Sequence, residues 1–407
     1  MNLQSDIKLQ NKKIDLFVII EFALCAIIIL STLLMKYGIA SNAFTVSFLV
    51  LIIGFVFHTL KLSSSCNLAI ILLAIFFSGF SVIETTIIFN KSLSFQYLKE
   101  YFIFIATLLL MFLWSNTKIN NKTIQFVLKF NIGISALYPI AYKFFPREGA
   151  FNDLSLNFSN PNLTGMWILQ SLLYLALGFL NLQKRFWKFV CVALFIINFY
   201  LLNLTGARNC MLSLLLFAVM IVWLLIKRSN KFPKFILIFV NIAPICFVPI
   251  YLCFINSVIE KGWLSFLISE GKPLDSRVAI WTRILKTLKG YWLTGKYPEI
   301  AGNLHNSHLV LLASYGLVVL FLVIIITYYI SVRVNNEITS KKQEYALAAF
   351  FACLFMGFGE GALFSGGQGI YIMVCGFLLL ARADCNENEQ IKLQSINKKR
   401  TESGAYS

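Results

Sequence analysis

A chain of 407 residues, 58% of them hydrophobic and only 13% charged, leaves too little polar surface to cover a water-soluble body and reads as a membrane protein. Its net charge of +17 would suit a nucleic-acid binder, but much of the excess falls in short connections and the tail. Anionic lipid and topology account for charge so placed, which excludes nucleic acid as a partner. The nine cysteines are scattered with no Cys-x-x-Cys, which excludes a disulfide framework and a zinc site and makes them small core residues.

Taken in chain order, apolar runs long enough to cross hydrocarbon as helices fall near 14–35, 40–60, 67–88, 95–114, 123–144, 161–181, 187–204, 208–226, 234–255, 305–330, 344–362 and 367–382. The expectation is an all-α polytopic protein with about twelve transmembrane helices. The first run follows a polar start and lacks a small-residue cleavage site, so it reads as a signal anchor. Basic residues fill every second connection: Lys8, Lys12 and Lys13; Lys61; Lys118 and Lys122; Lys184, Arg185 and Lys188; Lys227 to Lys234; Arg333, Lys341 and Lys342; then Lys392 to Arg400. That alternation puts both termini in the cytoplasm. One transmembrane domain (1–382) is expected, with an extracytoplasmic loop at about 256–304 containing a short helix. A polar, disordered cytoplasmic tail (383–407) follows. No internal repeat of the kind common in transporters is visible.

The polar chemistry gathers at the outer ends of these runs. Asn160-Pro161-Asn162 opens the sixth, in the manner of an N-cap with proline at the first helical position. Thr205-Gly206-Ala207-Arg208 opens the eighth. An arginine at the positive end of a helix is unfavourable unless an anion joins it, so Arg208 is either a phosphate seat or a snorkelling side chain. In the outer loop, Asp275 or Ser276 can cap a helix ended by Gly290. At 100° per residue Val278, Ile280, Trp281, Ile284, Leu285 and Leu288 share one arc, while Arg283, Lys286 and Lys289 take the other. Arg277 lies in the middle of the apolar arc, where a cation needs a partner: a local salt bridge, Trp281 one turn on, or a phosphate held by its fork of donors.

His305-Asn306 opens the tenth run, with His308 one turn later. A histidine there can take a proton at neutral pH from a sugar hydroxyl, or simply bond backbone. A zinc site of His305, His308 and Glu299 lacks a familiar ligand spacing, and no metal or other cofactor is expected. Finally Gly357-Phe358-Gly359-Glu360-Gly361 interrupts the end of a span, which is tolerated where backbone lines a cavity. Glu360 there could touch a sugar, pair with an arginine or face water.

The order of these motifs resembles the bacterial O-antigen ligase and polymerase group of lipid-linked oligosaccharide transferases. The likeness runs through nearly the whole membrane domain: Asn160-Pro161-Asn162, then Thr205-Gly206-Ala207-Arg208, then one large outer loop with Arg277, Trp281 and Gly295, then His305-Asn306 leading into a span with Gly316. Where that group has Gly-x-Gly between the loop arginine and His-Asn, this chain has Gly295 alone. The resemblance implies a GT-C-like fold, an undecaprenyl-pyrophosphate-linked oligosaccharide as donor, Arg208 and Arg277 on its pyrophosphate, and His305 acting on the acceptor.

It further implies substrate contacts from Asn306, Trp281, Asn160, Asn162, Glu360 and His308, and a site on the extracytoplasmic face of the cytoplasmic (inner) membrane. A chain-length regulator and the flippase of the same pathway are the implied protein partners. The expected reaction is polymerisation of repeat units into O-antigen, capsule or exopolysaccharide. The alternatives are an O-antigen ligase acting on lipid A core and a flippase, which would not be an enzyme.

Overall fold

The computed structural model describes residues 16–34, 66–88, 95–144, 154–156, 161–227, 231–261, 275–296, 305–359 and 370–383. They form twelve helices: α1 (Leu16–Leu34), α2 (Cys66–Ile88), α3 (Phe95–Asn116), α4 (Asn121–Phe144), α5 (Pro161–Asn181), α6 (Arg185–Leu204), α7 (Arg208–Ile226), α8 (Lys234–Lys261), α9 (Asp275–Thr287), α10 (Ser307–Glu337), α11 (Lys341–Met356) and α12 (Ile370–Ala381). No strand is present among the described residues, as backbone in hydrocarbon requires of anything short of a closed barrel. Six helices, α4 to α8 and α10, are long and apolar enough to cross a membrane, so this is a multi-pass membrane protein. The expected span at 40–60 and the expected tail beyond Ala383 lie outside the described residues.

The centre of the bundle is α5, α11 and α12. Every residue of α12 is buried, as is nearly all of α11. Around them α4 and α6 cover α5, α7 runs along α11, α3 and α1 cover α12, and α10 lies against α2 and α8. Outward faces keep large apolar side chains exposed, among them Phe76, Phe189, Ile196, Leu215 and Phe321, as lipid contact demands. One end of the bundle is tied by polar contacts. Lys341 Nζ donates to the carbonyls of Leu224 (2.8 Å) and Lys227 (3.0 Å), Asn335 exchanges two hydrogen bonds with the Phe232 backbone, and Arg382 pairs with Glu337. Ser340 and Gln343 form a capping box that starts α11 there.

The two central helices are short among the described residues. α11 has 16 residues and α12 has 12, about 24 Å and 18 Å of rise against roughly 30 Å of hydrocarbon. The expected span 344–362 counted Gly357 and Gly359 as helix, and α11 instead stops in a turn at 357–359; residues 360–369 lie outside the described residues.

α10 is broken at Gly316, whose φ of +82° and ψ of 179° leave the helical region. Unbroken, its 31 residues would run about 46 Å. Yet Ser307 N donates to Gly357 O (2.7 Å), which fixes the start of α10 beside the end of α11. The segment 307–315 and the segment beyond Gly316 are thus two helical pieces joined at a kink.

Into that break fits the chain that follows α9. Lys296 N donates to Ala313 O (2.7 Å) and Leu317 N to Trp292 O (2.8 Å), so two non-helical stretches satisfy each other. Ser81 of α2 closes the arrangement through its hydroxyl, which donates to the carbonyls of Thr294 and Ser314. A methyl group on Gly316 would strike the Leu293 carbonyl, and one on Gly295 the backbone of Ser314 to Gly316. Gly316→Ala is therefore expected to destabilise the protein by at least about 2 kcal/mol, from positive-φ strain plus collision. Gly133→Ala, in open helix surface, should be neutral or slightly stabilising; thermal unfolding in detergent compares the two.

Candidate functional site

α11 ends inside the bundle, and a helix end leaves its last carbonyls without intrahelical donors. Three successive carbonyls in the turn are claimed by other helices. Gly357 O accepts from Ser307 N (2.7 Å), Phe358 O from Asn306 Nδ2 (3.0 Å), and Gly359 O from Asn209 Nδ2 (3.0 Å). The first two donors open α10 and the third opens α7. Consequently His305, beside Asn306, and Arg208, beside Asn209, begin at one turn, although about a hundred residues separate them in sequence.

Asn306 is wholly buried and fully engaged. Its Oδ1 accepts from Leu309 N (2.8 Å) as the cap of α10, and its amide donates to Pro244 O (2.8 Å) as well as to Phe358 O. Pro244 and Pro249 each break the ladder of α8, and α10 ties into this loosened backbone. His308 is also buried, with its ring bonded to the Asn241 backbone of α8. Asn306 thus acts as an anchor in this structure, and His308 is tied to α8 through one hydrogen bond with the Asn241 backbone.

His305 differs from both. It is half-buried and holds φ at +50°, one of two non-glycine residues in the left-handed region among those described. A non-glycine residue held there costs of order 1–3 kcal/mol and persists only when its surroundings impose it. Its immediate neighbour Asn306 is held by three hydrogen bonds.

The start of α5 joins the group. Gly165 packs against Ala207, Thr205 and Cys210 so closely that a methyl group would collide with Ala207. Leu154 N donates to Leu204 O (3.0 Å) and Thr164 Oγ1 to Ser155 O (2.6 Å), bracing the turn from which α7 begins. Asn162 is half-buried at the head of α5, three residues before Gly165. Arg208 itself is exposed and lines a cavity between α6 and α7.

α9 forms where its amphipathic pattern places it, with Trp281, Ile284 and Leu288 buried and Arg283, Lys286 and Lys289 exposed. Trp281 meets Tyr251 of α8 edge-on at 5.2 Å between ring centroids, Tyr251 meets Phe247 at 5.3 Å, and Phe247 lies on Phe358. A relay of rings therefore connects the helix bearing Arg277 to the same turn that holds α7 and α10. The backbone of Arg277 opens α9, while its side chain, with Asn160 and Glu360, lies outside the described residues.

Sequence reasoning passed over Asn209, Pro244 and Ser81. Asn209 directly follows Arg208 in the motif, and a carboxamide at a helix start beside a glycine-rich turn was a usable signal. Pro244 and Ser81 carried none without their partners. Comparison with protein-family models, with curated proteins and with solved structures finds no match in any of the three. The function is therefore argued from the motifs and this geometry.

Asn306→Asp keeps the cap acceptor but loses both amide donors, stranding the Pro244 and Phe358 carbonyls beside a new charge. It should cost about 1–3 kcal/mol for each carbonyl left unsatisfied, read as a lowered unfolding temperature in detergent.

Proposed function

We propose that the protein is a metal-independent, inverting glycosyltransferase of GT-C-like type that joins undecaprenyl-pyrophosphate-linked oligosaccharide units at the outer face of the cytoplasmic membrane. The observation that carries this reading is the meeting of the α7 and α10 starts on the 357–359 turn, with α9 connected to it through Trp281. A cation at one helix head and an imidazole at another are thereby drawn to one end of the bundle. The opposite end carries the lysine-rich connections assigned to the cytoplasm.

The chemistry follows from a lipid pyrophosphate as leaving group. An acceptor sugar hydroxyl attacks the anomeric carbon from the face opposite the pyrophosphate, the new C–O bond forms as the old one breaks, and configuration inverts. His305 takes the hydroxyl proton, and its strained backbone fixes where the ring stands. Charge grows on the departing oxygen, so Arg208 and Arg277 stabilise the transition state more than the ground state. Asn306 sets the position of His305 through its three hydrogen bonds.

We assign the acceptor as another lipid-linked repeat unit, which makes the enzyme a polymerase. The compact outer loop and a chain rich in Asn, Lys and Ile favour this over a ligase acting on lipid A core. A flippase would need cations along the route through the bundle. Among the described Lys and Arg residues, the buried one is Arg382, paired with Glu337 at the opposite end.

Arg208→Ala, Arg277→Ala and His305→Ala should each insert normally yet lose at least about a hundredfold in chain extension, within the range for a lost acid–base or oxyanion group. Lys286→Ala, on the solvated face of α9, should be near wild type. Lysine at 208 or 277 should restore only part of the rate, because it keeps charge but not the fork. The measurement is the ladder of longer glycans made by purified protein from lipid-linked repeats alone. Units that change leaflet without lengthening would overturn the transferase reading, and transfer only to lipid A core would make it a ligase.

A further inference from the structure

The start of α4 lies at the end of the bundle that carries the lysine-rich connections, since Ile119 bridges to Ala383, whose carbonyl accepts from Gln343 at the start of α11 (2.7 Å). Lys122, Gln125 and Lys129 follow one another along one side of α4, at spacings of three and four residues. Lys129 Nζ donates to Gln125 Oε1 (3.4 Å) and stands 5.6 Å from the ring centroid of Trp187 on α6. Lys184 and Arg185 are exposed where α6 begins, and Lys188 Nζ stands 5.6 Å from the ring centroid of Phe179 on α5. The first turn of α6 thus rests against the polar side of α4, and the two helix starts that meet at Trp187 bring their lysines to one corner.

Among the described residues no carboxylate answers these cations. Between Glu100 and Glu260 the only acidic residues in the chain are Glu148 and Asp153, both in the connection that follows the other end of α4. At the near end Glu337 is taken by Arg333 and Arg382, and Glu344 by Lys341. Glu21 of α1 is buried beside Cys25, and the neighbouring Phe22 meets Phe130, one residue step around α4 from Lys129. The aromatic rings attract the lysines without supplying net negative charge.

The same stretch of α6 turns an apolar strip outward. Phe186 and Phe189 are 67% and 73% exposed, and Ile196 continues the strip two turns on. Cations beside a lipid-facing apolar strip suit an amphiphile with an anionic head, its phosphate among the lysines and its acyl chains on the phenylalanines. We propose that the corner between the starts of α4 and α6 binds an anionic phospholipid of the adjoining leaflet. A soluble anion would leave the phenylalanine strip unused, and a zwitterionic lipid would bring a further cation to a corner that already has an excess of them. The site lies at the opposite end of the bundle from His305 and rests on no step of the transferase reading.

Tryptophan fluorescence of the full-length protein in nanodiscs tests this, with the Trp187 signal taken as the difference between wild type and Trp187→Phe. A lipid with brominated acyl chains quenches a tryptophan that it touches. At one mole fraction in a phosphatidylcholine bilayer, brominated phosphatidylglycerol should occupy the Trp187 contact at least about threefold more than brominated phosphatidylcholine. Joint substitution Lys129→Gln, Lys184→Gln and Lys188→Gln should abolish that preference, and arginine at the same three positions should keep it. Lys289→Gln, on the exposed side of α9, should leave it unchanged.

Equal quenching by the two lipids overturns the proposal, as does a preference that survives in the folded triple glutamine variant. Loss of the preference in millimolar inorganic phosphate at constant ionic strength also overturns it, because the corner would then be a site for a free anion. Where the triple variant folds poorly, Lys184→Gln alone, at an exposed side chain, should lower the preference, and no change there counts against the site.

Discussion

A helix that stops inside a packed bundle must find donors for its last carbonyls within the protein, because the surrounding side chains keep water from supplying them. α11 stops in this way, and Ser307, Asn306 and Asn209 answer its turn in succession. The donors are themselves drawn from helix starts, where backbone N–H groups and capping side chains are in surplus. One physical requirement thus determines which helices share an end, and with it which chemical groups become neighbours. The glycines of the turn serve the same end: a side chain on Gly359 would occupy the Asn209 carboxamide, and one on Gly357 would crowd Ser307.

The break in α10 is the same constraint met a second time. Gly316 frees backbone groups mid-helix, and the returning strand of chain after α9 supplies the complement at Trp292 and Lys296. Both contacts are backbone to backbone, and both glycines facing the seam hold positive φ. The seam also gives α9 a fixed exit, while Trp281 fixes its packing on α8 through Tyr251. α9 is therefore held both at its exit and along its buried face.

Much of this was legible because apolar length and amphipathic period are local properties. The helix edges at Asn121, Pro161, Arg185, Arg208 and Lys234 lie within a few residues of where the apolar runs begin, and the two faces of α9 divide as 100° spacing requires. The early end of α11 was not, since alanine and phenylalanine up to Met356 and the apolar residues beyond it look alike to a hydropathy window. Nor were the contacts of Asn306 and His308 with Pro244 and Asn241 of α8. Those partners lie about sixty residues away, and only packing of the proline-loosened α8 against α10 reveals them. The groove between α6 and α7 was hidden for the same reason, since α6 lies along α5 and α7 along α11.

Arg208 and Asn209 show how these levels connect. One residue step on α7 turns the side chain by about 100°, so the Asn209 carboxamide locks the helix start to Gly359 while Arg208 is left exposed on another side of the helix. The lock and the cation cannot drift apart, because they share a backbone already pinned at Ala207 by Gly165 of α5. The same holds for His305 and Asn306, where the anchor is once more the immediate neighbour of the reactive candidate. In each pair a carboxamide bonded to the 357–359 turn stands beside an ionisable residue that is only partly buried or exposed. That division of labour lets a largely apolar protein hold two polar groups steady at the end of helices that lipid would otherwise leave free to shift.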